Sequence, residues 1–216
     1  MAKKKGKVLI IDNYAKPGSK GITELRKSVR KAGYQTRIMR HSDAKAALKD
    51  GRDFLDGYHG YVTSGSDKSW NETGKKDSQG KAYLETNDPV AQHLASHDLP
   101  GYNICGGAHA LAHNLGMKVK NSGKFNRGKK DDGQIYNHKY GMCTENAPEK
   151  VTDIQVIKHE GEKYVKSFNY DNKRAVQYHP ERTDKGKQEL TDFLDSNLGK
   201  KQTLQFPADK VKQGLY

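Results

Sequence analysis

The chain has 216 residues, and 39 Lys and Arg against 26 Asp and Glu give it a formal net charge of +13. That length supports one substantial core, and a mean hydropathy of -1.02 broken by regularly spaced apolar runs fits a folded domain with a heavily charged surface better than a disordered chain. No apolar run reaches the roughly 20 residues needed to cross a bilayer, and 2 cysteines are too few for a disulfide framework.

The opening MAKKKGKVLIIDN is basic, but its apolar run is too short for a signal-peptide core, so the reducing cytoplasm is the expected compartment. The lysines are scattered in short groups (Lys3 to Lys5, Lys75-Lys76, Lys129-Lys130, Lys200-Lys201) and do not interleave with aromatics. The charge alone leaves nucleic acid open as a partner, and no motif supports it.

Taken in order, Lys7 to Asp12 is a continuous apolar run with a polar end, the pattern of a strand buried on both faces. Ile22, Leu25, Val29 and Ala32 then recur at helical spacing until Gly33 closes the helix. Tyr34 to Met39 reads as a strand, Asp43 to Leu48 as a short helix, and Gly60 to Thr63 as a third strand running into Ser64-Gly65-Ser66. A polar loop containing Trp70 follows, from Asp67 to about Lys81, and then a helix from Tyr83 to His97 with Leu84, Val90 and Leu94 among its buried positions. Tyr102 to Ile104 is a short strand leading to Cys105, with a helix over Ala108 to Leu115.

Beyond Gln134 the pattern changes. Gln134 to Met142, Ile154 to His159, Lys163 to Asn169 and Arg174 to Tyr178 read as strands without intervening helices, before a last helix from about Lys185 to Leu198. The expected fold is α/β: a mostly parallel central sheet with helices on both faces, flavodoxin-like, plus a more antiparallel C-terminal portion. One domain spans 1–198, and 199–216 is a basic, irregular tail. In such sheets the active site lies outside the carboxyl ends of the strands. Ser64-Gly65-Ser66, Cys105 and the segment after Tyr178 each follow a strand end, so three loops can converge there.

Two segments carry chemistry. In NICGGAHAL, Cys105 stands between a strand and a helix, with Gly106 and Gly107 relieving a crowded turn. The helix N-terminus that follows favours a thiolate, although a buried cysteine ending a strand reads equally well from these residues alone. In AVQYHPE, a strand delivers His179, Pro180 stops it, and Glu181 lies close enough to hold one imidazole nitrogen while the other faces a thiol. That segment by itself is also an ordinary strand-to-turn exit. Cys105, His109 and His113 recur every four residues, a spacing that can hold zinc on a helix. Cys105 lies in the turn rather than on the helix face, and with 9 histidines in the chain a pair at that spacing arises readily by chance, so no metal and no cofactor are expected.

Together the segments VLIIDN, SGS, ICGG and VQYHPE resemble, in order and spacing, the class I glutamine amidotransferases with a Cys-His-Glu triad. Asn137-His138-Lys139 is similar to a segment of the small glutaminase subunit of two-subunit GMP synthases. The resemblance implies Cys105 as nucleophile, His179 as general base and acid, and Glu181 as the carboxylate that orients it. It further implies oxyanion donors from the Gly106 amide and the Gly65-Ser66 loop, with His109 at a substrate-holding position usually filled by glutamine. Asn103, Ser66 and His109 depart from the family's usual residues. The implied function is a glutaminase that splits the side-chain amide of glutamine through a Cys thioester and supplies ammonia to a separate synthase subunit. A free-standing hydrolase of γ-glutamyl or other small amides, and a non-enzymatic binding protein on the same fold, are the alternatives.

Overall fold

The first apolar run is buried on both sides, as a central strand requires. In the computed structural model, which describes residues 5–67 and 88–198 (backbone only at 123–125), this run is β1, Lys7–Asp12. Val8 and Ile10 join a cluster with Ile22, Leu25 and Val29 of α1 (Lys20–Lys31) and with Leu190, Leu194 and Leu198 of α5 (Asp184–Leu198). Leu9 and Ile11 pack instead with Ala44 and Ala47 of α2 (His41–Lys49) and Val90 and Leu94 of α3 (Pro89–Ser96). Alternation of side chains across one strand therefore serves two helical layers. Each of these four residues, fully buried, contributes on the order of 1.5–3 kcal/mol by leaving water.

The other strands are β2 (Gln35–Arg40), β3 (Gly60–Thr63), β4 (Gly101–Ile104), β5 (Val119–Lys129), β6 (Ile135–Met142), β7 (Val151–His159), β8 (Glu162–Tyr170) and β9 (Lys173–Val176). A further helix, α4, spans Gly106–Asn114. The sheet runs β2-β1-β3-β4-β9-β8-β6-β5, with β7 paired to β8. The first five strands are parallel, in the order of flavodoxin-like folds. From β9 onward the pairing is antiparallel, and Met142, Val165 and Phe168 form a core there with Ala108, Leu111 and Ala112 of α4. The expected α/β architecture is the observed one.

Local signals account for most boundaries. Ser19 caps α1 by accepting from the Ile22 amide at 3.3 Å, and Gly33 takes φ 97° just past its end. Strand β5 has no counterpart among the sequence expectations. Its sequence VKNSGKFNRGK is polar, carries two glycines and breaks register between Asn121 and Asn126, so it shows no period-2 pattern. Of the helix expected over Tyr83 to His97, residues 89–96 are helical and Leu84 lies outside the described residues, as do most of the Trp70 loop and the tail 199–216. Among the described residues, no helix is long and apolar enough to cross a membrane.

Candidate active site

The carboxyl ends of three neighbouring parallel strands supply the site. β4 ends at Ile104, and its next residue, Cys105, adopts φ 47° and ψ -105° before α4 begins at Gly106. A positive φ is uncommon for a residue with a side chain, and here bonds on both sides hold it. The Cys105 amide donates to the Val176 carbonyl of β9 at 2.8 Å, and its carbonyl accepts from the His109 amide at 2.9 Å. Cys105 is thus the N-cap of α4, and the helix begins two residues earlier than the start read from the sequence. Asn103 is no part of the turn: it pairs within β4 against Thr63 and Ala175, so a strand residue suffices there. Its side chain accepts from the Thr63 hydroxyl at 3.1 Å and donates to the Arg174 carbonyl at 3.3 Å.

β9 stops at Val176, and the chain from Gln177 to His179 continues on single backbone bonds. The Gln177 amide donates to the Lys166 carbonyl and that of His179 to Ile135, both at 2.8 Å. Pro180 opens a single 3-10 turn, Pro180–Arg182, that folds Glu181 back. Its carboxylate meets His179 Nδ1 at 2.9 Å. Cys105, His179 and Glu181 are 3%, 2% and 3% exposed, so all three are withdrawn from solvent.

The third strand end is the loop after β3. A Cβ built on Gly65 would lie 2.8 Å from His179 Cε1, 3.2 Å from the Tyr14 hydroxyl and 3.5 Å from Cys105 Cβ. Glycine is therefore required by close approach, and these distances show that Gly65, Cys105, His179 and Tyr14 surround one point. The loop is tied to the segment after β1. The Asn13 amide donates to Ser64 Oγ at 2.9 Å, Asn13 Nδ2 to the Ser64 carbonyl at 2.9 Å, and Ser66 Oγ to the Asn13 carbonyl at 3.1 Å. Asp67 accepts from the Ala15 amide at 2.7 Å.

Electrostatics follow from this crowding. Burial pulls His179 down, but its electrostatic and hydrogen-bond interactions with Cys105 and the hydrogen bond and charge of Glu181 outweigh it and push His179 up to about 10. Glu181 Oε2 and the Tyr14 hydroxyl are buried with no hydrogen-bond partner among the described residues, and with Nδ1 taken by Glu181 the other nitrogen of His179 is left to Cys105. Burial and the charges of Glu181 and Cys105 raise Tyr14, so it stays a phenol and a donor. Sequence reading missed Tyr14, although it follows directly on a central strand that ends at the site edge.

His109 lies behind the elbow, buried and edge-on to His138 with ring centroids 6.2 Å apart. His138 is held by Gln177 Nε2 at 2.9 Å, and Gln177 also reaches the Tyr140 carbonyl at 2.7 Å. His113 does not join Cys105 and His109 as a metal-ligand group; among the described residues only Asp53, His93 and His97 gather in that way. Burial lowers His109 from 6.5 to about 4 and, with the charge of His109, lowers His138 to about 3. Both are neutral in the folded protein and take up protons more readily when unfolded.

The consequence is a pH dependence with a definite sign. His109 costs nothing above about 6.5, and stability falls as pH drops from there toward 4, by up to about 3 kcal/mol for this residue. His179 works on the other limb: its contribution is full below 6.5 and is lost as pH rises toward 10. Urea unfolding at pH 7 and pH 5 should therefore show a large acid loss in the native protein and a smaller one in His109→Gln. An equal loss in both would show that His109 is not the group titrating.

No family model matches the sequence, and no curated protein matches it. Solved structures do match by shape. A protein described as a GMP synthase subunit, from Thermoplasma acidophilum, aligns with a TM-score of 0.61 at 19% identity, covering 87% of this chain and 92% of that one. A glutamine amidotransferase from Thermotoga maritima aligns at 0.53 and 19% identity, covering 88% and 84%. A glutamine amido transferase from Methylobacillus flagellatus aligns at 0.52 and 13% identity, covering 86% and 74%. With the strand order and the loops that converge on Cys105, these likenesses show that the chain has the fold of the class I glutamine amidotransferases.

Proposed function

We propose that the protein is a cysteine amide hydrolase of the glutamine amidotransferase type. The supporting observation is the elbow at Cys105, set beside a His179 whose far nitrogen is held by Glu181, all against one glycine loop. Cys105 Sγ gives its proton to His179 and attacks the side-chain amide carbon of glutamine, and His179 passes that proton to the leaving nitrogen as the C–N bond breaks and ammonia departs. Water, losing a proton to His179, then cleaves the thioester to glutamate and restores the thiol pair. Gly106 stands first in α4, where its amide is a helix N-terminal donor, and the Gly65-Ser66 loop supplies the second oxyanion contact. Glu181 orients His179, and His109 supports the substrate side of the elbow from behind.

Tyr14 gives this reading a separate check. Its hydroxyl meets no partner among the described residues and faces the site, so Tyr14→Phe should lower kcat/KM by about tenfold or more. Stability should hold or rise slightly, because a buried unpaired hydroxyl is removed. A fall in stability with unchanged turnover would make Tyr14 a packing residue.

In the principal form of this function, the ammonia passes to a separate synthase subunit. The four bonds that tie the Gly65-Ser66 loop to the segment after β1 favour a second form, a free-standing hydrolase whose oxyanion loop needs no partner to order it. Ammonia release from glutamine, measured on the purified protein and again with cell extract, separates them. Stimulation of at least about tenfold, or roughly 1.4 kcal/mol of barrier, marks the subunit. Full turnover of glutamine or a γ-glutamyl amide without stimulation marks the free-standing enzyme. No ammonia or glutamate from any of these substrates under either condition would overturn both.

A further inference from the structure

We propose that Asp53, His93 and His97 form a binding site for one divalent transition-metal ion, with zinc the best fit, at the end of the sheet opposite Cys105. Asp53 precedes β3, while His93 and His97 lie one turn apart at the end of α3, before β4. All three therefore sit at the amino ends of parallel strands whose carboxyl ends carry the candidate active site. His93 Nε2 lies 2.9 Å from Asp53 Oδ1, and His97 Nε2 lies 3.2 Å from Asp53 Oδ2. The three possible ligand atoms fall within 4.8 Å of one another.

Bonds of about 2.0–2.1 Å in a tetrahedron put neighbouring ligand atoms about 3.3 Å apart. The two histidine–carboxylate contacts need to open by only a few tenths of an ångström to accept such an ion, while any pair of ligand atoms standing as far apart as 4.8 Å has to close toward that spacing. Two imidazoles and one carboxylate suit zinc and its neighbours rather than magnesium or calcium, which prefer all-oxygen sites. The side chains are 26%, 25% and 32% exposed for His93, His97 and Asp53, so an ion can reach them and a water can complete the shell.

Asp53 is also held from behind, accepting from the Leu55 amide at 2.8 Å. The Leu55 bond would remain as support behind the ligand. One contact opposes ligation: His97 Nδ1 accepts from the Leu99 amide at 3.1 Å. Zinc on Nε2 moves the ring proton to Nδ1 and displaces that bond. Asp98, between His97 and Leu99, is exposed, and its carbonyl accepts from Asn172 Nδ2. The bound ion would pin the segment before β3 to α3 as a structural clip.

The test is titration of the full chain with zinc alone, followed by calorimetry and thermal unfolding, in a Cys105→Ser background that removes the thiol as a competing ligand. Cobalt substitution adds a spectroscopic readout of tetrahedral geometry. One equivalent should bind and raise the melting temperature, and Asp53→Asn and His93→Gln should each weaken binding by about tenfold or more. Far-UV circular dichroism checks that each variant folds, and His97→Gln replaces any that does not. Absence of saturable binding, or binding that the folded variants retain in full, overturns the site. Neither result depends on whether the protein hydrolyses an amide.

Discussion

Cys105→Ser is expected to abolish turnover, by at least about a thousandfold or roughly 4 kcal/mol of barrier, while the protein remains folded. Serine is close to cysteine in size, and the backbone bonds that hold φ 47° at this position, from the Cys105 amide to Val176 and from the His109 amide to Cys105, do not involve the side chain. What changes is the nucleophile, since a hydroxyl is far harder to ionise than a thiol. A second readout distinguishes this from damage to the site. Replacing the Cys105 thiol removes a main cause of the raised His179, so the His179 titration followed by NMR should move down from about 10. Cys143 provides the internal control for alkylation. Burial pushes its thiol up, so iodoacetamide should label Cys105 first. Equal labelling, or substantial turnover by the serine variant, would remove Cys105 from the reaction.

Gly107→Ala should destabilise the fold by about 1–3 kcal/mol and cut activity with it. On an exposed helix the same change would be favourable by up to about 1 kcal/mol, so the sign itself is informative. A Cβ at this position would stand 2.0 Å from Thr63 Oγ1, 2.8 Å from Thr63 Cβ and 3.2 Å from the Ser64 carbonyl. Relieving the clash displaces Thr63, breaks its bond to Asn103, and pushes on the loop that carries Gly65. Urea midpoints report the first effect and ammonia release the second. Adding Thr63→Ala should restore part of the stability, giving a coupling of about 0.5–3 kcal/mol in the double-mutant cycle. A neutral or stabilising Gly107→Ala would mean that α4 sits further from β3 than these distances state.

Much of this fold is legible in the sequence because its signals are local. VLII announces a central strand through four consecutive apolar residues, and α1 declares itself through Ser19, the Ile22–Leu25–Val29 spacing and Gly33. Cys105, His179 and Glu181 stand out because a glycine pair and a proline punctuate the chain beside them. Other features depend on contacts that no short window contains. β5 is recognisable only from its pairing with β6, since its own residues are polar and interrupted. Asn103 stands out in the sequence only as a departure from the family's usual residue, yet the turn falls two residues later and Asn103 joins three strands through its side chain. Tyr14 gains its meaning from Gly65, which another strand delivers. Asp53, His93 and His97 show only half of their pattern, the two histidines one turn apart, until the fold adds the aspartate.

The pairing of β4 with β9 has a kinetic consequence. Ile104 lies opposite Val176 in that ladder, and each strand leads to one residue of the candidate site beyond its end, Cys105 and His179. Between them in the chain come α4 and all of β5 to β8. Bringing two such distant strands side by side requires closing a long loop, so this contact belongs to the slow, non-local part of folding. During synthesis Cys105, the proposed nucleophile, emerges well before His179, its proposed base, and an unfinished chain carries an isolated thiol. On the proposed function, hydrolysis would be an attribute of the completed sheet, acquired when its last-made parallel strand slots between two older neighbours.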